Sequence, residues 1–401
     1  MSVSTSPPAL RANPALLAVP EARTDAYVSS LTGIRAVASG IVVLFHYFLA
    51  AKAVRAADLP AVSWLLGNGQ AGVSIFFALS GFLITLRYRD SFARGTVRFR
   101  NYWLRRLIRI YPVYAFTLTF GAIVPALLEG SKDYANPLTW IGLYGMGQAL
   151  SFSIFALGIP VGWSLTIEEI FYLIAPRLGR WLDSGRGGIA IVVGTGAIIA
   201  LVSAGIFALT VLLPVGPAGE ALGPWLSGMP LDLFYNASFF ARIPEFASGM
   251  VGAILLLRFR TRVVPRARAL VLGGTAAAVL FMFAQNVAFG AGQIGLYAVL
   301  RFLSATGGAA LMLGLASAPP NTVIARFLSL PLMDYLGKTS YALYLVHLSI
   351  PVQRIWSGLV SLPIHPLYSV PIIYVIAVGA SILLYELVEH PAHTWLSKRL
   401  R

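Results

Sequence analysis

From about residue 33 onward, long uncharged apolar runs alternate with short polar segments, and the length of the runs sets the element type. Stretches such as 188–213 (GIAIVVGTGAIIALVSAGIFALTVLL) and 269–290 (ALVLGGTAAAVLFMFAQNVAFG) reach the ~20 residues an α-helix needs to cross a bilayer's hydrocarbon core. The pattern predicts spans near 33–52, 69–87, 107–128, 164–178, 188–213, 237–257, 269–290, 295–317, 336–356 and 367–389. The expected fold class is all-α, a polytopic membrane bundle of about ten transmembrane helices. Residues 1–30 are rich in Ala, Pro, Ser and Thr. They lack both a helical apolar period and the layout of a signal peptide, so a mobile tail is expected there. A membrane domain over 31–396 and a basic end at 397–401 (SKRLR) complete the expected organisation, with no soluble domain after it.

Composition agrees with that picture. Of 401 residues, 58% are hydrophobic and 11% charged, against roughly half and a quarter in soluble domains. The mean hydropathy is +0.78. A soluble enzyme, a disordered protein and a nucleic-acid module are excluded for the chain as a whole.

The net charge of +15 comes from 30 Lys and Arg against 15 Asp and Glu. Most of the arginines sit in short loops: eight within 87–109 against the single acid Asp90, five in 258–268, and Arg177, Arg180 and Arg186 in 177–186. This is the positive-inside bias of membrane topology rather than a nucleic-acid surface, and it puts both termini in the cytoplasm. It also makes the apolar stretch 138–159 an interfacial or re-entrant element, because a lone span there would carry the basic segment 177–186 outside. There are no cysteines, which excludes disulfides and thiolate chemistry. No Gly-x-Ser-x-Gly elbow or metal-ligand spacing occurs, so neither a serine-hydrolase mechanism nor a metal is expected.

Ionisable groups inside apolar helices are the most informative residues in such a chain, because each costs about 2.5–3.5 kcal/mol to insert. The first span carries Arg35 and His46, about three turns and roughly 16 Å apart on one face. Arg35 reads as a snorkelling anchor or as a functional cation, and His46 as a buried hydrogen-bonded histidine or as a reacting one. In GWSLTIEEIFYLIAP (162–176), Ser164, Glu168 and Tyr172 follow i, i+4, i+8 and share a face, with Glu169 turned about 100° away. One acid can line an interior cavity while the other meets headgroups or caps the helix. Arg105, Arg106 and Arg109 either anchor a helix or present guanidinium forks to phosphate. Arg242, Glu245, Arg301 and His347 are further candidates.

Seven motifs then fall in an order that resembles the membrane-bound acyltransferase family 3, the bacterial O-acyltransferases of surface polysaccharides and related glycosides. They are LTGIRAVASGIVVLFHY, GVSIFFALSGFLIT, RRLIRIYP, GWSLTIEEIFYLIAP, RIPEFASGM, LGKTSYALYLVH and YELVEHPA, covering about 31–396. The resemblance implies that His46 is the catalytic histidine and Arg35 its same-helix partner. It makes Glu168 the glutamate of the helix beginning at 164, and Arg106 and Arg109 the pair that handles the acyl donor. Thr32 departs from the Asp usual at that position. Some members carry a fused SGNH-type hydrolase domain, which this sequence does not show.

The expected chemistry is transfer of an acyl group, acetyl by resemblance, from acyl-CoA as co-substrate to a carbohydrate or glycoside hydroxyl at the bacterial inner membrane. Arg105, Arg106 and Arg109 would hold phosphates, and Ser164 and Tyr172 would hydrogen-bond donor or sugar. His46 would act as base or as acyl carrier, oriented by Glu168 if their helices pack together. The alternative is a proton-coupled secondary transporter of a carbohydrate, using His46 and Glu168 as a relay.

Overall fold

The computed structural model describes residues 28–55, 67–151, 154–184, 237–317, 322–362 and 366–399. Among these residues every regular element is helical. The long helices are α1 (Ser29–Arg55), α2 (Ala71–Arg94), α3 (Phe99–Leu118), α5 (Trp163–Asp183), α6 (Phe239–Arg258), α7 (Ala267–Gly290), α8 (Ile294–Ser317), α10 (Pro331–Val346) and α12 (Pro366–Leu384). Shorter ones are α4 (Pro137–Tyr144), α9 (Val323–Leu328), α11 (Ile350–Ser361) and α13 (His390–Lys398). Two π-helical stretches extend long helices: Thr119–Ile123 carries α3 into Val124–Leu128, and Tyr385–Glu389 joins α12 to α13. Leu280, Val287, Val375 and Leu383 stand exposed, an outward apolar surface that suits lipid rather than water.

Seven helices among the described residues are long and apolar enough to cross a membrane: those from Ser29, Ala71, Phe99, Phe239, Arg260, Gly295 and Tyr368. The predicted span 188–213 lies outside the described residues, as does the expected tail up to residue 27. The span expected at 164–178 is the helix α5, which reaches Asp183 and carries too many charges to count as uniformly apolar.

The span predicted at 336–356 is not one helix, and this corrects the sequence reading. The chain turns at His347–Ser349 between α10 and α11. Pro351 is the cause, because it has no N–H to donate to the carbonyl of His347 and so breaks the ladder at that turn. The freed His347 carbonyl accepts the Tyr47 hydroxyl instead, at 2.8 Å. Apolar character continues across the break through Leu348, Ile350 and Val352, so hydropathy alone reads straight through it.

The stretch expected to be interfacial or re-entrant is irregular. It begins as α4, capped by the Asn136 side chain accepting the Leu138 N–H at 2.9 Å, then unwinds around Gln148. That fully buried amide donates to the carbonyls of Leu157 (2.7 Å) and Ile159 (2.9 Å). Tyr114 donates to the Leu143 carbonyl at 2.6 Å. Non-helical backbone buried in a membrane protein needs such internal partners, since lipid supplies none.

Small residues let the helices meet closely, as expected where lipid competes equally for apolar contact. A Cβ on Gly249 of α6 would stand 1.8 Å from the Ala78 carbonyl oxygen of α2, and one on Gly81 of α2 would stand 2.1 Å from the Phe246 carbonyl oxygen. Gly33 of α1 presses on Leu328 in the same way, and Gly337 of α10 on Thr32. Thr32 meets Gly337 near the starts of α1 and α10 and His46 meets His347 near their far ends, so the two helices run side by side in the same direction.

One ionic cluster ties four helices together. Glu245 of α6 accepts from Arg242 at 3.0 Å and from Arg301 of α8 at 2.6 Å. Arg242 also donates to Ser74 of α2 at 3.2 Å and lies over the rings of Phe77 and Trp163. All three charged residues are almost wholly buried. Removing the single carboxylate leaves two guanidiniums facing each other in a dry interior, a loss of about 3–5 kcal/mol. Glu245→Gln is therefore expected to lower the unfolding temperature in detergent sharply. The triple replacement Arg242→Met, Glu245→Leu, Arg301→Met should unfold at a higher temperature than that single variant, because no unpaired charge remains.

Candidate active site

A cavity with about 790 Å³ of empty space up to its mouth lies between α1, α2, α3, α5 and α10. The helical register of α5 brings Ser164, Glu168 and Tyr172 onto its wall, as their spacing predicts. Glu168 is the polar centre: its Oε1 accepts from Ser80 of α2 and from Tyr172, both at 2.5 Å. Facing this carboxylate are Arg35 of α1 and Arg106 and Arg109 of α3. Arg105 is exposed and lines neither this cavity nor the one beyond it. Glu169 turns away, as expected, but meets protein rather than headgroups, accepting from the Trp103 indole at 3.3 Å.

Arg35, Leu83, Arg106 and Arg109 form a rim shared with a second, wider cavity of about 1450 Å³ at the basic end of the bundle. That mouth adds Arg87, Lys338, His390 and His393, with Glu389 as its one carboxylate. Glu389 belongs to the π-helical stretch after α12, a departure from regular α-helix of the kind that often marks functional sites. Lys338 is paired with Asp334 at 2.8 Å, and Arg106 lies over the Tyr88 ring.

At its other end the inner cavity closes against Phe76, Ser164 and Tyr344. Ser164 Oγ and Tyr344 Oη are 2.7 Å apart, and the Tyr344 ring centroid is 6.0 Å from that of His347. Beyond this plug, His46 Nδ1 lies 3.1 Å from His347 Nε2 and 3.0 Å from the Val42 carbonyl oxygen. His46 does not line the cavity. Glu168 bonds to Ser80 and Tyr172, and His46 to Val42 and His347, so the expected orientation of the imidazole by Glu168 is replaced by a histidine pair.

The structure thus brings Arg35, Arg106, Arg109, Ser164, Glu168 and Tyr172 to one cavity and sets His46 just past its closed end. Arg242, Glu245 and Arg301 form the buried cluster behind the Phe77 wall. Sequence reading missed Ser80, Tyr341, Tyr344, Lys338 and Glu389 as cavity-lining residues. A signal existed for part of this set, since Tyr341, Tyr344 and His347 recur every third residue along α10 and its end.

The chain is 29% identical over 192 residues to the peptidoglycan O-acetyltransferase OatA of Listeria monocytogenes, covering 44% of this chain and 28% of that protein. It is 27% identical over 353 residues to the putative peptidoglycan O-acetyltransferase YrhL of Bacillus subtilis, 82% of this chain and 50% of the relative. With the acyltransferase MdmB of Streptomyces mycarofaciens it shares 30% identity over 246 residues, 57% of each. The matches therefore span between about a quarter and rather more than half of these relatives' lengths. No solved structure gives a significant match. The acyltransferase domain profile matches residues 28–386, nearly the whole helical bundle, and the chain belongs to that acyltransferase family, Acyl_transf_3.

Proposed function

We propose that the protein is a membrane O-acyltransferase that moves an acetyl group from acetyl-CoA to a hydroxyl of a cell-surface glycan. The relatives' names point to acetyl and to a polysaccharide such as peptidoglycan. The observation that carries the reading is the shape and charge of the two cavities. A cation-rich mouth narrows past Arg35, Arg106 and Arg109 into a less charged chamber that ends beside the histidine pair. Guanidinium forks match phosphate oxygens, and a narrow inner chamber suits the chain that links a nucleotide to its thioester. Membership of an acyltransferase family replaces the transporter alternative.

In this reading the donor's phosphates rest on Arg87, Arg106, Arg109 and Lys338 at the cytoplasmic mouth. Ser80 and Tyr172, held by Glu168, face the passing acyl arm, and the acceptor hydroxyl approaches His46 from the outer side. Nε2 of His46 takes the hydroxyl proton as the oxygen attacks the thioester carbonyl. The C–S bond breaks, the thiolate leaves, and it recovers the proton from His46. Acyl-CoA and glycan hydroxyl become glycan ester and free CoA.

Vesicles containing the protein, supplied with labelled acetyl-CoA and glycan fragments, should transfer label to the glycan. His46→Ala at equal protein level should reduce that transfer to background, and normal transfer by the variant would remove His46 from the reaction. Orientation is testable separately because the native chain has no cysteine. Lys132→Cys should react with a membrane-impermeant maleimide in intact cells, whereas Lys398→Cys should react only after permeabilisation. The reverse pattern would invert the proposed topology and place the cation-rich mouth outside.

A further inference from the structure

The turn after α10 gives His347 an unusual set of constraints. Its side chain is fully buried. Its carbonyl, released by Pro351, is held by Tyr47 of α1, whose ring stacks on Trp356 of α11 at a centroid distance of 5.6 Å. The backbone on which the imidazole stands is thus clamped to the same helix that carries His46.

The ring itself is fixed at both nitrogens. Nδ1 of His347 lies 3.2 Å from the Leu343 carbonyl oxygen. A carbonyl can only accept, so this nitrogen carries the proton, and Nε2 is left with a lone pair. That lone pair points at Nδ1 of His46, 3.1 Å away. The other neighbour of His46 Nδ1 is the Val42 carbonyl oxygen, at 3.0 Å. Both neighbours accept, so Nδ1 of His46 carries the proton and its Nε2 does not. In the helix the Val42 carbonyl also receives the backbone N–H of residue 46, as the Leu343 carbonyl receives that of His347, and the two lone pairs of a carbonyl serve both, so Val42 and His347 Nε2 share the Nδ1 proton of His46. Among the described residues no hydrogen bond reaches Nε2 of His46.

We infer that His347 is a positioning residue that locks His46 in the Nδ1–H tautomer, keeping the Nε2 lone pair turned out for proton transfer. The inference rests on the proposed acyl transfer for its purpose but not for its geometry. The pairing also supports the protonated state: when His46 takes up a proton at Nε2, its Nδ1–H already donates to His347, and no group must move. A partner that hydrogen-bonds the ring nitrogen away from the reacting one fixes the tautomer in the same way at histidine metal sites and in Ser-His-Asp triads.

The test combines a spectrum with kinetics. Full-length protein labelled with ¹⁵N-histidine is placed in nanodiscs, and the His46 resonances are assigned by difference against His46→Gln. Wild type should show a protonated Nδ1 and an unprotonated Nε2 for His46. In His347→Leu the two tautomers should mix, and kcat should fall by at least about 10-fold with little change in the KM for acetyl-CoA. His347→Gln, whose Oε1 can accept from Nδ1–H, should restore the wild-type tautomer and most of kcat. An unprotonated Nδ1 in wild type, or a His46 spectrum unchanged in a folded His347→Leu protein, would overturn the inference. If the tautomers behave as stated in a protein that transfers no acyl group, the locking stands and the proposed reaction fails.

Discussion

A charge surrounded by lipid and apolar side chains must find a partner inside the protein, and this constraint organises the bundle. Two solutions appear side by side. Arg242, Glu245 and Arg301 close on one another in a dry core with Ser74 and aromatic rings around them, and no cavity reaches them among those described above. Arg35, Arg106 and Arg109 instead face an open space, with Glu168 and Glu389 as the carboxylates nearby. The first arrangement holds helices together. The second leaves positive charge in a place that an anionic ligand can enter.

The same constraint applies to the backbone. At two places among the described residues where the chain leaves the helix, a side chain supplies the missing bond: Gln148 and Tyr114 for the irregular segment after α4, and Tyr47 for the carbonyl freed by Pro351. The last of these links a local break to chemistry. Without the turn at His347–Ser349, α10 would continue past His46, and His347 would not be clamped by Tyr47. A proline that reads as a helix defect therefore shapes the histidine pair.

Much of this was legible in the sequence. Run length identifies most of the long apolar helices among the described residues, and the i, i+4, i+8 register of Ser164, Glu168 and Tyr172 puts them on one wall. Arg35, Arg106 and Arg109 stand out as misplaced charges, and they do line the cavities. What escaped were contacts between residues distant in the chain. Ser80 meets Glu168 across 88 positions, and His347 meets His46 across 301. No periodicity within one helix can announce a partner on another. The break at 347–349 escaped for a different reason, since apolar residues on both sides of Pro351 sustain a hydropathy signal that carries no information about the hydrogen-bond ladder. Arg105 looked equivalent to its neighbours because three arginines in one and a half turns share composition, and only packing separates the exposed one from the two turned inward.

The cation-rich mouth and inner chamber, proposed as the acyl donor's site, can be tested by donor binding without knowledge of the acceptor. Calorimetric titration of acetyl-CoA into the purified protein in nanodiscs should give one site per chain, with affinity falling as salt rises. The paired substitution Arg106→Gln, Arg109→Gln should weaken binding by at least about tenfold, or ~1.4 kcal/mol. Equal affinity in the wild type and the folded double variant would place the donor elsewhere.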